Sequence, residues 1–195
     1  MVRSARPTPQ ALEAARGRAI RDVIAPGLDV LFCGINPGLY SAATGFHFAR
    51  PGNRFWPALA AAGFTPVRME PRQWPELLAC GVGITNLVAR ATASADELSG
   101  DELRAGRKRL ERKVRRYQPR AVAVVGVGAY RIAFDRPAAS MGRQPEAVGG
   151  ALLWVLPNTS GLNAHYQAAD FERAFAELRR AVKTGRRTRR GFVQE

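Results

Sequence analysis

The chain has 195 residues, 46% of them apolar, which suffices for one domain with a full hydrophobic core. Its apolar runs are too short to span a bilayer, and residues 1–18 lack the apolar segment of a signal peptide, so a cytoplasmic protein without a membrane partner is expected. A net charge of +14, from 30 basic against 16 acidic residues, attracts polyanions by counterion release; nucleic acid becomes the expected partner, but charge does not separate an enzyme from a binder.

In chain order, residues 1–7 read as a loose tail. Thr8 caps and Pro9 opens a helix whose apolar positions Leu12, Ala15, Ala19, Ile20 and Val23 carry it toward Pro26. A strand over 29–35 runs into Gly34-Ile35-Asn36-Pro37-Gly38, where two glycines bracket an Asn-Pro and bring the backbone to a sharp, exposed turn. Ligands of α/β sheets gather outside the carboxyl ends of strands, which makes Asn36 a candidate for chemistry.

A long loop leads to Asn53, which caps a helix over 54–62 whose Phe55 and Trp56 face the core. A short helix over 72–79 and a strand over 81–88 follow; Asn86 in that strand is a candidate without an assigned role. Ser99 and Glu102 form a capping box for a long helix with Leu103, Leu110, Val114 and Tyr117 on one stripe and a basic exterior. That exterior reads equally as a solvated face and as a DNA-contacting one.

The next strand covers 120–125. The segment after it, Gly126-Val-Gly128-Ala-Tyr-Arg131, lacks a third glycine and a later acidic partner; it reads as a strand-to-helix turn and not as a dinucleotide site. Residues 135–150 read as an irregular loop and 152–157 as the fourth strand, ending in a second turn, Leu156-Pro-Asn158-Thr-Ser160-Gly161-Leu162-Asn163. The last helix, 167–182, turns Phe171, Phe175, Leu178 and Val182 inward, and the basic stretch after it reads as a disordered tail.

The fold class is therefore α/β: a three-layer α/β/α sandwich around a short, mainly parallel four-stranded sheet. It forms a single domain over 8–182 with basic tails at 1–7 and 183–195. Cys33 and Cys80 lie within or beside apolar segments and read as free thiols. No Cys-x-x-Cys or Cys/His cluster occurs, so neither a metal nor a cofactor is expected.

Four motifs occur in order and at compatible spacing: Gly34-Ile-Asn-Pro-Gly38, Thr44-Gly-Phe-His-Phe-Ala49, Asn53-Arg-Phe-Trp56 and Asn158-Thr-Ser-Gly-Leu162. With them the chain resembles the mismatch-specific uracil-DNA glycosylases, the family that includes thymine-DNA glycosylase, from about Ile20 to Val182. The resemblance implies hydrolysis of the N-glycosidic bond of uracil in G·U mismatches of double-stranded DNA, by base flipping, at the start of base-excision repair. One enzyme acting on one lesion makes a monomer the default, and the abasic product would pass to downstream abasic-site repair enzymes.

Carried over by the resemblance, Asn36 positions the attacking water, and Phe48 stacks on the extruded base. Backbone groups near Ile35 and Phe46 read its edge, and Asn158 leads the second motif at the pocket. Ser41 matches the position near C5, where a hydroxyl favours uracil over thymine. Leu162 is the wedge, Gly161 and Asn163 contact the opposite strand, and Ser160 contacts a phosphate. No lysine lies in these motifs, so a monofunctional enzyme without lyase activity is expected. The alternative is a noncatalytic DNA-binding domain of the same fold.

Overall fold

The computed structural model describes residues 6–161 and 166–190. The elements in order are α1 (Pro9–Glu13), β1 (Val30–Gly34), α2 (Leu39–Thr44), α3 (Phe55–Ala61), α4 (Trp74–Ala79), β2 (Val82–Asn86) and α5 (Gly100–Tyr117). Then come β3 (Ala121–Val125), α6 (Val127–Ala133), β4 (Gly142–Val148), β5 (Ala151–Leu156) and α7 (Ala168–Arg190). One five-stranded sheet has the order β2-β1-β3-β5-β4. All neighbours are parallel except β4, which runs antiparallel to β5.

The central strands are buried on both faces, which is why they read as unbroken apolar runs and not as alternating ones. On one face Phe32, Ile84, Ala123 and Trp154 pack against Phe55, Leu59, Phe171, Phe175 and Leu178 from α3 and α7. On the other, Leu31, Val122, Val124 and Leu153 pack against Leu103, Leu110 and Val114 of α5 and Tyr130 of α6. Phe32 stacks on Phe175 at 5.6 Å and meets Phe55 edge-on at 5.3 Å, so the aromatic part of the core lies directly beneath the β1 carboxyl end. Helix α3, which follows β1, and helix α6, which follows the adjacent β3, pack on opposite faces of the sheet, and that divergence opens a crevice above the two strands' carboxyl ends.

Several expectations are corrected. The sheet has a fifth strand, because 142–148 is β4 and not irregular loop. Its Pro145 and exposed Arg143 suit an edge strand, where a missing N–H and a charge face solvent, and they disguise it as loop. The first helix stops at Glu13 and does not approach Pro26. Gly17 takes φ +76 and gives its N–H to the Ala91 carbonyl, and Val23 pairs instead with Ile84 as an isolated antiparallel bridge.

Thr8 does cap α1, accepting from the Ala11 amide at 3.2 Å. Residues 71–73 form a separate turn of 3-10 helix ahead of α4. The last helix continues past Val182 to Arg190, so the basic stretch read as disordered is helical to that point. Among the described residues no helix is long and apolar enough to cross a membrane.

Candidate active site

The turn after β1, the loop after β2 and the turn after β5 meet above the sheet around a solvent-open cleft of about 420 Å³. Ile35, Asn36, Ser41, Phe48, Asn158 and Ser160 line it, bringing together six nominated residues from two stretches of sequence, 35–48 and 158–160. His47, Asn86, Thr92 and Thr159 join them.

Two neighbours fix the side-chain amide of Asn36. Its Nδ2 donates to the Arg90 carbonyl at 3.0 Å and to Thr92 Oγ1 at 2.7 Å. Thr92 has one hydroxyl proton, and it goes to the Ser94 carbonyl at 2.6 Å, so toward Asn36 the hydroxyl is an acceptor. A carbonyl and an acceptor-only hydroxyl fix which end of the amide is nitrogen. With both N–H groups engaged, Oδ1 is the end left to face the cleft, as an acceptor unable to take a proton strongly.

The loop that supplies these acceptors is braced from behind. Arg90 Nε meets Glu102 Oε1 at 2.5 Å and its Nη2 meets Oε2 at 2.9 Å, a bidentate pair. The hydrogen bond from Arg90, with those from Ser99, holds the Glu102 carboxyl down at about 2. Glu102 also accepts from the Ser99 amide at 2.9 Å, and Ser99 Oγ accepts from the Glu102 amide. The capping box of α5 is thereby joined through Arg90 to Asn36.

A second amide is fixed in the same manner. His47 is buried, and burial pushes its imidazole below the ordinary value, so the ring is neutral. Its Nε2 lies 3.0 Å from the Arg21 carbonyl, which can only accept, so Nε2 carries the proton and Nδ1 is the acceptor. Asn86 Nδ2 therefore donates to Nδ1 at 3.3 Å, and Oδ1 lies over Gly34, its register partner on β1. No donor among the described residues reaches that oxygen. Gly34 leaves room for it: a Cβ there would sit 2.4 Å from Asn86 Oδ1 and 3.3 Å from Phe48 Cζ.

Phe48 stacks on Phe55 with centroids 4.0 Å apart and planes 18° apart, which couples the cleft wall to the aromatic core. Its φ of 53° is left-handed, a conformation costly for an aromatic residue, of order 1 kcal/mol or more. Thr159 presents a different cost: it is 1% exposed, and its hydroxyl has no hydrogen-bond partner among the described residues.

Other nominated residues sit differently from expectation. Phe46 does not line this cleft; Gly45, with φ +77, ends α2 and turns Phe46 into a smaller neighbouring cavity with Trp56 and Trp74. Its amide donates to the Ser41 carbonyl at 3.2 Å, and the Ile35 carbonyl accepts from the Val88 amide at 2.9 Å. Ser41 is buried, and its Oγ accepts from the Ala49 amide at 3.1 Å, holding the loop.

Asn158 Oδ1 accepts from the Ser160 amide at 3.0 Å, closing the second turn on itself. Gly161 is exposed outside the cleft lining, and Leu162 and Asn163 lie outside the described residues. His47, Thr92 and the Arg90–Glu102 brace carried no recognisable function in the sequence. Only the capping box left a trace there.

A solution NMR structure of a candidate uracil DNA glycosylase from Methanosarcina acetivorans superposes with a TM-score of 0.57 at 19% identity, covering 84% of this chain and 98% of that one. That likeness bears on the fold alone. The family profile described as the uracil DNA glycosylase superfamily matches residues 21–181, which contain α2 to α6, the whole sheet and most of α7. With that match over most of its length, the chain belongs to the uracil-DNA glycosylase superfamily.

Proposed function

We propose that this protein is a monofunctional, mismatch-directed uracil-DNA glycosylase that hydrolyses the bond between uracil N1 and deoxyribose C1′ in G·U pairs. The observation that carries the reading is the fixed amide of Asn36, whose Oδ1 faces the cleft because Arg90 and Thr92 take both of its N–H groups. A buried nucleotide must be extruded before its C1′ can be reached. In the cleft, Phe48 offers a face to the extruded pyrimidine, and Asn86 Oδ1 offers an acceptor to an N3–H, which uracil has and cytosine lacks.

The water hydrogen-bonded to Asn36 Oδ1 adds its oxygen to C1′ as the C1′–N1 bond breaks. The bonding pair leaves on uracil, and the water proton passes to solvent. An amide oxygen is too weak a base to drive this step, so the rate rests on departure of the uracil anion and on a prealigned water. Hydrolysis without a lysine leaves an intact abasic site for downstream repair enzymes. The +14 charge supports duplex DNA as the partner, and Leu162 remains the proposed wedge into the vacated stack.

The test is single-turnover uracil release from a G·U duplex beside A·U, G·T and single-stranded uracil, with Asn36→Ala in parallel. Expected are alkali-labile sites at G·U and a loss of about 100-fold or more in the variant with duplex binding kept. Tight binding with no release from any substrate would leave a lesion binder and end the enzyme reading.

A further inference from the structure

Arg54 is the one residue of the Asn53-Arg-Phe-Trp56 motif without a role so far. It comes at the start of α3, and its backbone amide donates to the Thr159 carbonyl at 2.9 Å. The side chain reaches the same second loop: Nη2 donates to the Ser160 carbonyl at 2.5 Å and Nη1 to the Tyr166 carbonyl at 2.9 Å. The guanidinium carbon lies 4.6 Å from the Phe171 ring centroid, so the fork rests on the root of α7. Beside it the two loops touch directly, since a Cβ on Gly161 would come within 2.9 Å of the Gly52 carbonyl.

A planar guanidinium has donors diverging at fixed angles, so one residue can hold two carbonyls at a set separation. The two held here bracket the segment between residues 160 and 166, which contains the proposed wedge Leu162. We propose that Arg54 is a positioning residue that ties Ser160 and Tyr166, on either side of the proposed wedge, to the base-pocket loop, so that extrusion of the base and its capture in the cleft share one anchor. This rests on the glycosylase reading above. The chemistry separates Arg54 from a phosphate contact, because these two nitrogens are directed at backbone carbonyls and not at solvent.

The clamp acts on extrusion and not on the bond-breaking step. Its removal therefore matters most where the duplex resists opening. Wild type, Arg54→Met and Arg54→Lys are compared in single-turnover excision from a G·U duplex and from the same strands with both neighbours of uracil mispaired, which lowers the cost of extrusion. Fluorescence of 2-aminopurine beside a non-hydrolysable 2′-fluorodeoxyuridine reports extrusion without chemistry. Lysine keeps a stem along Phe171 and one charge but reaches one carbonyl at a time, so it stands in if the methionine variant does not fold.

Expected is a loss of about 10- to 100-fold on the paired duplex, in line with the effect of a 1 Å misplacement, and a much smaller loss on the mispaired one. The fluorescence rise shrinks, the lysine variant falls between, and the salt dependence of binding is unchanged. Equal losses on both substrates with unaltered fluorescence would overturn the clamp, as would full activity on the paired duplex. A salt slope lowered by about one would show a phosphate contact instead. Should wild type excise uracil from neither substrate yet raise the fluorescence in an Arg54-dependent way, the glycosylase reading falls and the clamp stands.

Discussion

Replacing Gly34 by alanine tests whether the first glycine of Gly34-Ile-Asn-Pro-Gly38 serves the turn or the neighbouring amide. Gly34 is an extended β1 residue whose φ is not left-handed, so alanine costs nothing in backbone conformation. The new Cβ would lie 2.4 Å from Asn86 Oδ1, about 1 Å inside ordinary contact, with Phe48 Cζ closing the other side at 3.3 Å. Flipping the amide gives no relief, because Nδ2 would then occupy the same space. Asn86 must instead rotate away, losing the bond to His47, worth about 1 kcal/mol, and entering an off-rotamer geometry that costs about 0.5–1.5 kcal/mol.

Removing a glycine from a strand returns about 0.5–1 kcal/mol, so net destabilisation is about 0.5–2 kcal/mol and the melting temperature falls by a few degrees. The effect on excision is larger, since a displaced Asn86 Oδ1 forfeits a hydrogen bond to the base edge, about 1–3 kcal/mol or roughly 5- to 150-fold in rate. Single-turnover rates on G·U duplex and thermal melting measure the two quantities. Gly38→Ala in the same pentapeptide is the control for stability, because nothing lies within 4 Å of its Cβ and its φ is −74°. A Gly34→Ala protein that excises uracil within threefold of wild type would refute both the clash and the role given to Asn86.

Two further outcomes follow from the hydrogen bonds around the cleft. Thr92→Val keeps the shape but leaves Asn36 with a single acceptor, Arg90; excision is expected to slow by about tenfold with duplex affinity unchanged, and an unchanged single-turnover rate would contradict the orientation argument. His47 is held neutral below its ordinary 6.5, so below that pH the unfolded chain takes up a proton that the folded one resists, and stability falls as pH drops from 6.5 toward the lowered value and is unaffected above it. Protonated Nδ1 can no longer accept from Asn86, so the rate holds through that window and falls only as pH drops through the lowered value of the folded protein; an acid limb of the same shape in His47→Gln would assign it to another group.

The strands were legible because burial on both faces of a parallel sheet writes them as continuous apolar runs, and α5 because its capping box and stripe are local signals. β4 was not legible: an edge strand held by one neighbour needs no apolar run, and Pro145 with its flanking charges is the vocabulary of loops. The site divides along the same line. Asn36, Phe48 and Asn158 were found because they sit in short contiguous motifs and Ser41 by its spacing from Asn36, whereas the parts played by Thr92 and His47 depend on partners far away in sequence.

What the motifs could not convey is which end of each amide faces the cleft. That is decided by Thr92 giving its one proton to Ser94, and by His47 giving its one proton to Arg21. In both cases a side chain with a single proton, spent on a backbone carbonyl, becomes an obligate acceptor and turns an asparagine oxygen outward. The same device, used once in the turn after β1 and once at the end of β2, leaves an acceptor of Asn36 and one of Asn86 at the cleft; in the proposed reaction the first meets the water and the second the base edge. Under the proposed function, selection by such a cleft rests on hydrogen-bond polarity, and excision should follow the state of His47 and Thr92 as closely as that of the asparagines they orient.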